Sequence, residues 1–450
     1  MKVLWLCNFM LPAVAEHLQQ TATNKEGWIS GMAEVILRRR ESNDVQLGIA
    51  FPVSEVMDGY REELEVYGGK LTCYGFYEDT AHPENYDSGL EDRMRKITED
   101  FKPDLIHCYG TEYPHTLAMC KAYPHKERIL ISIQGLCSVY ANTYFASLPQ
   151  KVIRNKTFRD WLKKDSLTEQ KEKYVSRGNY EIDAVKIAGN VAGRTAWDSF
   201  YTTLWNENVK YYHLNETLRS CFYEGEWKEE SAAQHTIFLS QGNYPIKGLH
   251  YMLAALPKIK KKYPDVKVLV AGDSVIRYET WKEKIKISAY GRYLRRLIKM
   301  YALEDCVSFL GSLTAAQMKE QYLKSALFVC PSTIENSPNS LGEAMILGVP
   351  CVSADVGGVR SIFTDKQDGI LYNGFRTKEN SFDLPHLKEG QELSFEEISN
   401  ALADAVIAMW EDPIQSREYC KNAMQHARDT HDREKNYGRM LEIYESIKNA

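Results

Sequence analysis

Two glutamates, Glu335 and Glu343, stand on one short stretch of the chain with seven residues between them. The stretch 327–358, LFVCPSTIENSPNSLGEAMILGVPCVSADVGG, predicts a buried strand, a polar loop, a short helix and a second strand that ends at a Gly-Gly turn. A loop between a strand end and a helix start is where open α/β sheets bind ligands, and the helix start favours phosphates. We place Glu335 on the loop and Glu343 one turn into the helix. Two carboxylates in these positions suit sugar hydroxyls on either side of a diphosphate.

The same residues also have a purely structural interpretation. Ser340 and Glu343 have the spacing of a capping box, in which each side chain bonds the backbone of the other residue at a helix start. Glu335 could then be a solvated loop residue. Capping explains neither Glu335 nor the pattern on both sides of it, so we favour the ligand site.

The elements upstream of this stretch predict two α/β domains. Strand Lys2–Cys7, a loop and a helix opened by Gly27 form a first β-α unit, and further strands are predicted as far as 209–214. A polar, irregular segment at 219–231 predicts a linker, and a new series of strands begins at residue 236. A chain of 450 residues is also too long for one ordinary core.

One arginine is predicted at a strand end. Arg194 follows a strand that finishes at Gly193, which places it in the crevice at the carboxyl end of the first sheet. The alternative is an exposed arginine paired with Asp198, four residues further along.

The stretch 327–358 resembles the nucleotide-sugar signature of the retaining GT-B glycosyltransferases of family 4, which carry an E-x7-E motif. The resemblance continues upstream through DCVSFLGSLTAAQMKEQYLKSALFVCPS and downstream through SADVGGVRSIFTDKQDGILY, about 70 consecutive residues in all. It extends more loosely over the whole chain. The motif alone would be a weak signal, but the flanking Pro-Ser, Gly-Val-Pro and Gly-Gly turns make it specific.

The resemblance implies a donor site for a nucleotide diphosphate sugar. In it Glu335 holds the hydroxyls of the sugar, Glu343 those of the ribose, and Lys247 the diphosphate. Gly27 would let the backbone approach the phosphates, although it could equally be a glycine N-cap. The remaining expected donor contacts come from the loop and helix start of the motif: Asn336, Ser337, Asn339, Ser340 and Leu341.

One expected cation is absent. Relatives carry G-R-x-x-x-x-K-G, with the arginine and the lysine on the diphosphate, and here Gly242 stands at the arginine position. A departing diphosphate needs more than one positive group, so we assign Arg194 as the replacement beside Lys247 and Glu335 in the catalytic set. The basic helix around 292–296 is the next choice.

The acceptor side is expected near the strand DLIHCY. This strand is similar to the family's D-x-I-H-x-H element, with His107 at the first histidine and Tyr109 at the second. Glu112, just beyond the strand, could face the acceptor, and Gln134 stands where many relatives have a His-Gly. For His107 the more favoured alternative is a histidine packed inside the strand.

A segment between 136 and 179 departs from the alternation of strands and helices. Within it, 151–173 holds eight basic residues against four acidic ones and carries the aromatic residues Phe158 and Trp161. Such a surface could touch anionic lipid or a lipid-linked diphosphate acceptor. The alternative is a solvated helix that flanks the acceptor cleft.

The composition excludes some classes of protein. A formal charge of -5 argues against general nucleic-acid binding. Ten scattered cysteines without a C-x-x-C pair are typical of a reducing compartment, not of a disulfide framework or a zinc site. The chain starts directly in a strand, and no apolar run has the length of a membrane span. We expect a cytoplasmic protein, with peripheral association at the inner face of the membrane as an option.

These observations together predict a GT-B fold, that is, two Rossmann-like α/β domains with parallel sheets facing across a cleft. We expect an acceptor-binding domain at 1–220 that includes the 136–179 insertion, a nucleotide-sugar domain at 232–425, and a helix at 426–450 that packs back on the first domain. The expected activity is retaining transfer of a hexose from a nucleotide diphosphate sugar to a saccharide or lipid-linked saccharide, without a metal or other cofactor. A GT-B epimerase or phosphorylase and a noncatalytic partner subunit are the alternatives.

Overall fold

The computed structural model describes residues 1–20, 27–39, 45–376 and 393–449. The chain forms two compact units. The first unit contains Met1–Ser138, Lys173–Arg219 and His431–Ala450, and the second contains Val139–Glu172 and Ser220–Thr430.

Each unit is built on a central sheet. The strands are β1 Lys2–Cys7, β2 Gln46–Val53, β3 Arg61–Val66, β4 Gly69–Tyr77, β5 Leu105–Tyr109, β6 Ile129–Ser132, β7 Asn190–Gly193, β8 Lys210–His213, β9 Ala233–Leu239, β10 Lys267–Val270, β11 Val307–Phe309, β12 Ser325–Cys330, β13 Cys351–Asp355 and β14 Ile370–Asn373.

Helices connect these strands. They are α1 Pro12–His17, α2 Gly27–Arg38, α3 Gly89–Phe101, α4 Pro114–Ala122, α5 Cys137–Thr143, α6 Gln150–Ile153, α7 Phe158–Lys163, α8 Leu167–Ile187, α9 Ala196–Trp205, α10 Leu249–Lys262, α11 Trp281–Lys286, α12 Ala289–Met300, α13 Ala315–Lys324, α14 Asn339–Ile346, α15 Phe395–Glu411, α16 Pro413–Thr430 and α17 Arg433–Lys448.

The sheet of the first unit has the order β3-β4-β2-β1-β5-β6-β7-β8 and is parallel except for the antiparallel pair β3–β4. The central strand β1 reads KVLWLC and is buried from Val3 onward, as a parallel strand covered on both faces must be. The edge strand β3, REELEV, carries four charged residues that discourage edge-to-edge pairing. The chain leaves β1 for β2 on one side and returns to β5 on the other, so the topological switch point lies between β1 and β5.

The sheet of the second unit is parallel throughout, with the order β11-β10-β9-β12-β13-β14. From β9 the chain builds outward through β10 and β11, then crosses to the other side of β9 to form β12. The switch point of this sheet therefore lies between β9 and β12. The loops after these two strands contain Lys247 and Glu335.

Two segments belong to a different unit from the residues that precede them in the sequence. Residues 139–172 pack in the second unit, whereas the sequence predicts them as part of a 136–179 insertion in the first domain. There the Ala146 carbonyl accepts hydrogen bonds from the His250 ring and the Tyr251 hydroxyl at 2.8 and 2.9 Å. The C-terminal helix α17 belongs to the first unit, where the indole N–H of Trp5 donates to the Tyr444 hydroxyl at 2.9 Å.

None of the helices in the described ranges is both long enough and apolar enough to cross a membrane.

Candidate functional site

Two loops meet at the switch point of the second sheet. The loop after β9 ends in the short turn Pro245–Lys247, and the loop after β12 begins at Pro331. The backbone N–H of Thr333 donates to the Ile246 carbonyl at 2.8 Å, and its hydroxyl donates to the same oxygen at 3.2 Å. These bonds fix the two loops side by side, although they lie far apart in sequence.

An ion pair between Lys247 and Glu335 joins these loops. Lys247 Nζ lies 2.6 Å from Glu335 Oε1, and the Ser332 hydroxyl donates to the same oxygen at 2.7 Å. Burial acts to lower the pKa of Lys247, but the charge of Glu335, with contributions from Tyr244 and Tyr140, raises that pKa well above its ordinary value. Lys247 is therefore a fixed cation that keeps 21% of its side chain exposed.

Two glycines allow this close approach. Gly248 has φ +69°, and a Cβ on it would lie 1.8 Å from the Pro331 carbonyl oxygen. Gly357 has φ +54°, and a Cβ there would lie 2.1 Å from the carbonyl oxygen of Glu335. The next residue, Gly358, donates its N–H to that oxygen at 3.0 Å. A side chain at either position would therefore clash with the backbone of the loop after β12.

Helix α14 starts at the end of the Glu335 loop. Pro338 occupies its N-cap and makes no side-chain cap hydrogen bond, and the helix starts before Ser340, so the capping box of Ser340 and Glu343 is not formed. Asn339 and Ser340 are the first two helical residues, and Glu343 is buried one turn further in. The Tyr322 hydroxyl lies 3.4 Å from Glu343 Oε2. The other predicted donor contacts on this stretch, Asn336, Ser337 and Leu341, are all buried.

The missing arginine has a packing explanation. A Cβ at Gly242 would lie 2.8 Å from Leu249 Cδ2 and 2.9 Å from Val270 Cγ1. No long side chain fits there without displacement of the core under the loop.

Sequence reasoning missed a cluster of two arginines at the carboxyl end of β13. Arg360 donates to both carboxylate oxygens of Asp355 at 2.8 and 2.7 Å, and Arg376 donates to Asp355 Oδ2 at 2.9 Å. Asp355 thus contacts two guanidinium groups. Arg360 lies two residues after Gly358, whose backbone N–H donates to the Glu335 carbonyl. In the sequence, an arginine shortly after the Gly-Gly turn could have indicated this cluster.

Arg194 is neither exposed nor paired through its side chain with Asp198. Its guanidinium is 5% exposed, forms an ion pair with Glu216, and donates to the Ile133 and Gln134 carbonyls at 3.2 Å. Asp198 instead forms a capping box with Thr195 at the start of α9. The predicted contact of Arg194 with a donor diphosphate is not supported by this geometry, because its charge is already neutralised inside the first unit.

The switch point of the first sheet contains a cavity of about 260 Å3. Three predicted acceptor-side residues, Tyr109, Glu112 and Gln134, line it. Arg177 on α8, which sequence reasoning missed, also lines the cavity, and its Nε donates to the Glu112 carbonyl at 2.8 Å. Gln134 is oriented by donation from its amide to Glu216 at 2.8 Å.

A hydrogen-bonded chain stands behind Glu112. Asn8 Nδ2 donates to the Glu112 carboxylate at 3.0 Å, so Asn8 Oδ1 faces His115 Nε2, also at 3.0 Å. On its other side His115 Nδ1 meets the Glu78 carboxylate at 2.7 Å. Both ring nitrogens of His115 therefore lie within hydrogen-bond distance of a side-chain oxygen. This chain fixes the direction of the Glu112 carboxylate.

The remaining predicted residues of the phosphate and acceptor sites are His107 and Gly27. His107 is completely buried, between the Tyr444 hydroxyl at 2.6 Å and the Ser132 hydroxyl at 2.7 Å, and burial lowers its pKa to about 3. His107 is therefore the packed strand histidine, not an acceptor contact. Gly27 is the first residue of α2, and residues 21–26 before it lie outside the described ranges.

No cluster of three or more His, Cys, Asp or Glu side chains suited to a metal ion occurs among the residues that the structure describes. The second unit offers a buried carboxylate, an ammonium group and a helix N-terminus, which can bind hydroxyls and an anion together.

Comparison with known proteins gives matches of two kinds. Residues 224–383 match the family described as glycosyl transferases group 1. An uncharacterised glycosyltransferase from Methanocaldococcus jannaschii is 26% identical over 200 residues, 44% of this chain and 44% of that protein. A phosphatidyl-myo-inositol mannosyltransferase from Propionibacterium freudenreichii is 29% identical over 140 residues, 31% of this chain and 30% of its own length. The chain thus spans less than half the length of each of these relatives.

Solved structures cover nearly the whole chain. Sucrose-phosphate synthase from Thermosynechococcus elongatus superposes with a TM-score of 0.68 at 15% identity over 99% of both chains. HepE from Anabaena in complex with UDP superposes with a TM-score of 0.60 at 15% identity over 99% of this chain and 100% of that one. At this identity the likeness concerns the fold alone, and it confirms the predicted GT-B class of two parallel-sheet domains.

Proposed function

We propose that the chain, whose residues 224–383 match the family of glycosyl transferases group 1, is a retaining glycosyltransferase that moves a hexose from a nucleotide diphosphate sugar to a saccharide or lipid-linked saccharide acceptor. The ion pair between Lys247 and Glu335 at the switch point of the second sheet carries this proposal. It lies in the matched region, where open α/β sheets bind their ligands.

The reaction must stabilise a departing diphosphate and a sugar that acquires positive charge. Lys247 and the N-terminus of α14 would supply positive charge for the diphosphate. On donor binding Lys247 would move from Glu335 to the phosphates. Glu335 would then accept hydrogen bonds from the sugar hydroxyls and Glu343 from those of the ribose.

A second cation completes this electrostatic account. We assign it to Arg360, which follows the Gly-Gly turn that bonds the Glu335 loop and whose partner Asp355 is also contacted by Arg376. Arg360 is half exposed and can turn toward an anion while Arg376 keeps Asp355 neutralised. Side chains then meet the charge of the diphosphate, and no metal ion is part of the proposal.

The first nucleotide to test is UDP. HepE from Anabaena, one of the similar structures, was solved in complex with UDP and with UDP-glucose. The retained configuration at the anomeric carbon is inferred from the resemblance of the E-x7-E stretch to retaining enzymes.

The acceptor is proposed to bind in the cavity of the first unit that Tyr109, Glu112 and Gln134 line. The Glu112 carboxylate, held by Asn8, would orient the attacking hydroxyl. A lipid-linked acceptor is supported by two relatives, whose names specify phosphatidylinositol N-acetylglucosaminyl transfer and phosphatidyl-myo-inositol mannosyl transfer. The comparisons do not favour an epimerase, a phosphorylase or a noncatalytic subunit.

Thermal unfolding in the presence of nucleotide sugars tests the donor site. A donor at ~100 times its Kd should stabilise the folded state by about 2.7 kcal/mol, and UDP, GDP and ADP sugars can be compared directly. Lys247→Ala should lose most of this shift. Lys258→Ala removes an exposed lysine that pairs with Asp404 in the same unit, so it serves as the control and should keep the shift. Equal shifts in both variants would place donor binding away from Lys247.

A further inference from the structure

Two short helices of the second unit expose large hydrophobic side chains. On α7, Phe158, Trp161 and Leu162 are 57%, 67% and 65% exposed, and on α11, Trp281 is 74% exposed. Tryptophan is among the residues that gain most from burial. Side chains of this size held in solvent on an ordered helix mark a surface for binding.

The two helices share one local design. Each begins with an aromatic residue after a threonine that forms a capping box with an acid three positions later, Thr157 with Asp160 and Thr280 with Glu283. The acid of each helix is thereby committed to its own backbone. Over 158–164 and 281–286 there are six basic residues and only these two acids.

The helices form one continuous surface, although more than one hundred residues separate them in sequence. They contact each other, and both line a cavity of about 720 Å3, α7 through Arg159 and Lys163 and α11 through Glu283 and Lys286. We call the exposed side chains of these two helices the aromatic-basic patch. Its members are Phe158, Trp161, Leu162, Lys163, Lys164, Trp281, Lys282, Lys284 and Lys286.

The patch is held rigidly from beneath. Asp160 accepts the backbone N–H of Ala289 at 2.9 Å, which joins α7 to the start of α12. Arg159 is paired with Asp160 at 3.1 Å and with Asp165 at 2.7 Å. The aromatic side chains are therefore presented outward by helices that are themselves anchored, and they are not the loose end of a mobile segment.

We propose that the aromatic-basic patch docks the protein on an anionic membrane surface. Tryptophan and phenylalanine enter the interfacial region of a bilayer, while lysines beside them meet anionic headgroups. Charge complementarity selects this occupant, because the exposed charge of both helices is basic and their acids are engaged in caps. The inference deepens the proposed function, since a docked protein meets a lipid-linked acceptor at the surface where that acceptor is embedded.

The cavity under the patch adds a connection to the donor site. Its wall includes Tyr244 and Pro245, which lie in the same loop as Lys247. The patch, the cavity and the donor lysine therefore belong to one unit. A lipid headgroup at the patch would lie at the entrance of a space that extends to the loop carrying Lys247.

Flotation with vesicles tests the proposal without donor or acceptor, so its failure would leave sugar transfer untouched. Vesicles of phosphatidylcholine with phosphatidylglycerol should bind the full chain, vesicles of phosphatidylcholine alone should bind it much less, and salt should weaken binding. Trp161→Ala combined with Trp281→Ala should reduce the partition coefficient at least roughly tenfold, since both rings leave water on docking. Each lysine-to-glutamine change at Lys163 or Lys286 should reduce it about fivefold, equivalent to about 1 kcal/mol.

The matched control is Leu204→Ala combined with Ile414→Ala, which removes two exposed hydrophobic side chains outside the patch. This variant should bind vesicles like the wild type, and thermal unfolding should show all variants folded. The proposal would be overturned if the Trp161→Ala, Trp281→Ala variant bound vesicles as well as the wild type does. It would also be overturned if the wild type did not bind anionic vesicles at low salt. If light scattering showed that the wild type is a dimer and that the same variant is a monomer, the patch would bind a second copy of the chain. That result would also overturn the proposal.

Discussion

Lys247→Ala removes the ammonium group that lies 2.6 Å from Glu335 Oε1. The Glu335 side chain is 9% exposed, and without Lys247 its Oε1 would keep the hydrogen bond from the Ser332 hydroxyl alone of the two that it accepts from Lys247 and Ser332. Loss of one partner from a fully buried pair costs about 3–5 kcal/mol. Because Lys247 itself is 21% exposed, water can screen part of this charge, and we expect a loss of roughly 1–3 kcal/mol in unfolding free energy.

The catalytic effect should be separable from this loss of stability. Lys247→Ala should reduce kcat/KM by ~100-fold or more, about 2.7 kcal/mol of transition-state stabilisation. Adding Glu335→Gln removes the unpaired carboxylate, so the double variant should recover most of the melting temperature and yet remain at least ~100-fold less active. Steady-state transfer assays below the melting temperature, paired with thermal unfolding, give both quantities. The reasoning is refuted if the double variant regains activity together with stability, or if Lys247→Ala keeps kcat/KM within threefold of wild type.

Three further predictions concern groups outside this pair. Arg194→Ala should destabilise the protein by ~3–5 kcal/mol, because it leaves the buried Glu216 carboxylate without the guanidinium of Arg194. At a temperature where the variant is folded, its kcat/KM should change little. A ~100-fold lower kcat/KM in the folded variant would place Arg194 in the donor site. The bond from His426 to Asp368, 2.7 Å long, raises the His426 pKa above 6.5, so its stabilising effect is full below 6.5 and is lost as pH rises through the folded-state pKa. The melting temperature of His426→Gln should therefore approach that of wild type with rising pH, and a constant difference would contradict this. Dialysis against a metal chelator should leave the rate of sugar transfer unchanged. A loss of transfer after dialysis that Mg²⁺ alone restores would show that a metal is needed.

Much of the fold could be predicted because its signals are local. The stretch around Glu335 and Glu343 encodes strand, loop, helix and strand through contiguous apolar runs and glycine turns, and the structure has β12, α14 and β13 there. The alternation of strands and helices on both sides of the linker likewise predicts two parallel sheets. The burial of His107 could also be predicted, because the residue lies within an apolar strand.

What could not be predicted depends on contacts between distant residues. Nothing local to Arg194 indicates that Glu216, twenty-two residues later, neutralises it in the interior. The approach of Lys247 to Glu335 needs the crossover of the chain at the switch point and two glycines at special backbone angles. The segment 139–172 packs in the second unit through Ala146 and Asp160, whose partners lie more than one hundred residues downstream.

Transfer of an isotope-labelled hexose from a nucleotide diphosphate sugar to a lipid-linked saccharide, followed by proton NMR of the product, tests the central claim most directly. The donor is the one selected by thermal unfolding, and the anomeric coupling constant reports the configuration of the new bond. The proposed function predicts a labelled product with the same anomeric configuration as the donor, formed by the wild type and nearly absent with Lys247→Ala. A product of inverted configuration, release of free sugar without transfer, or equal product from Lys247→Ala would contradict it.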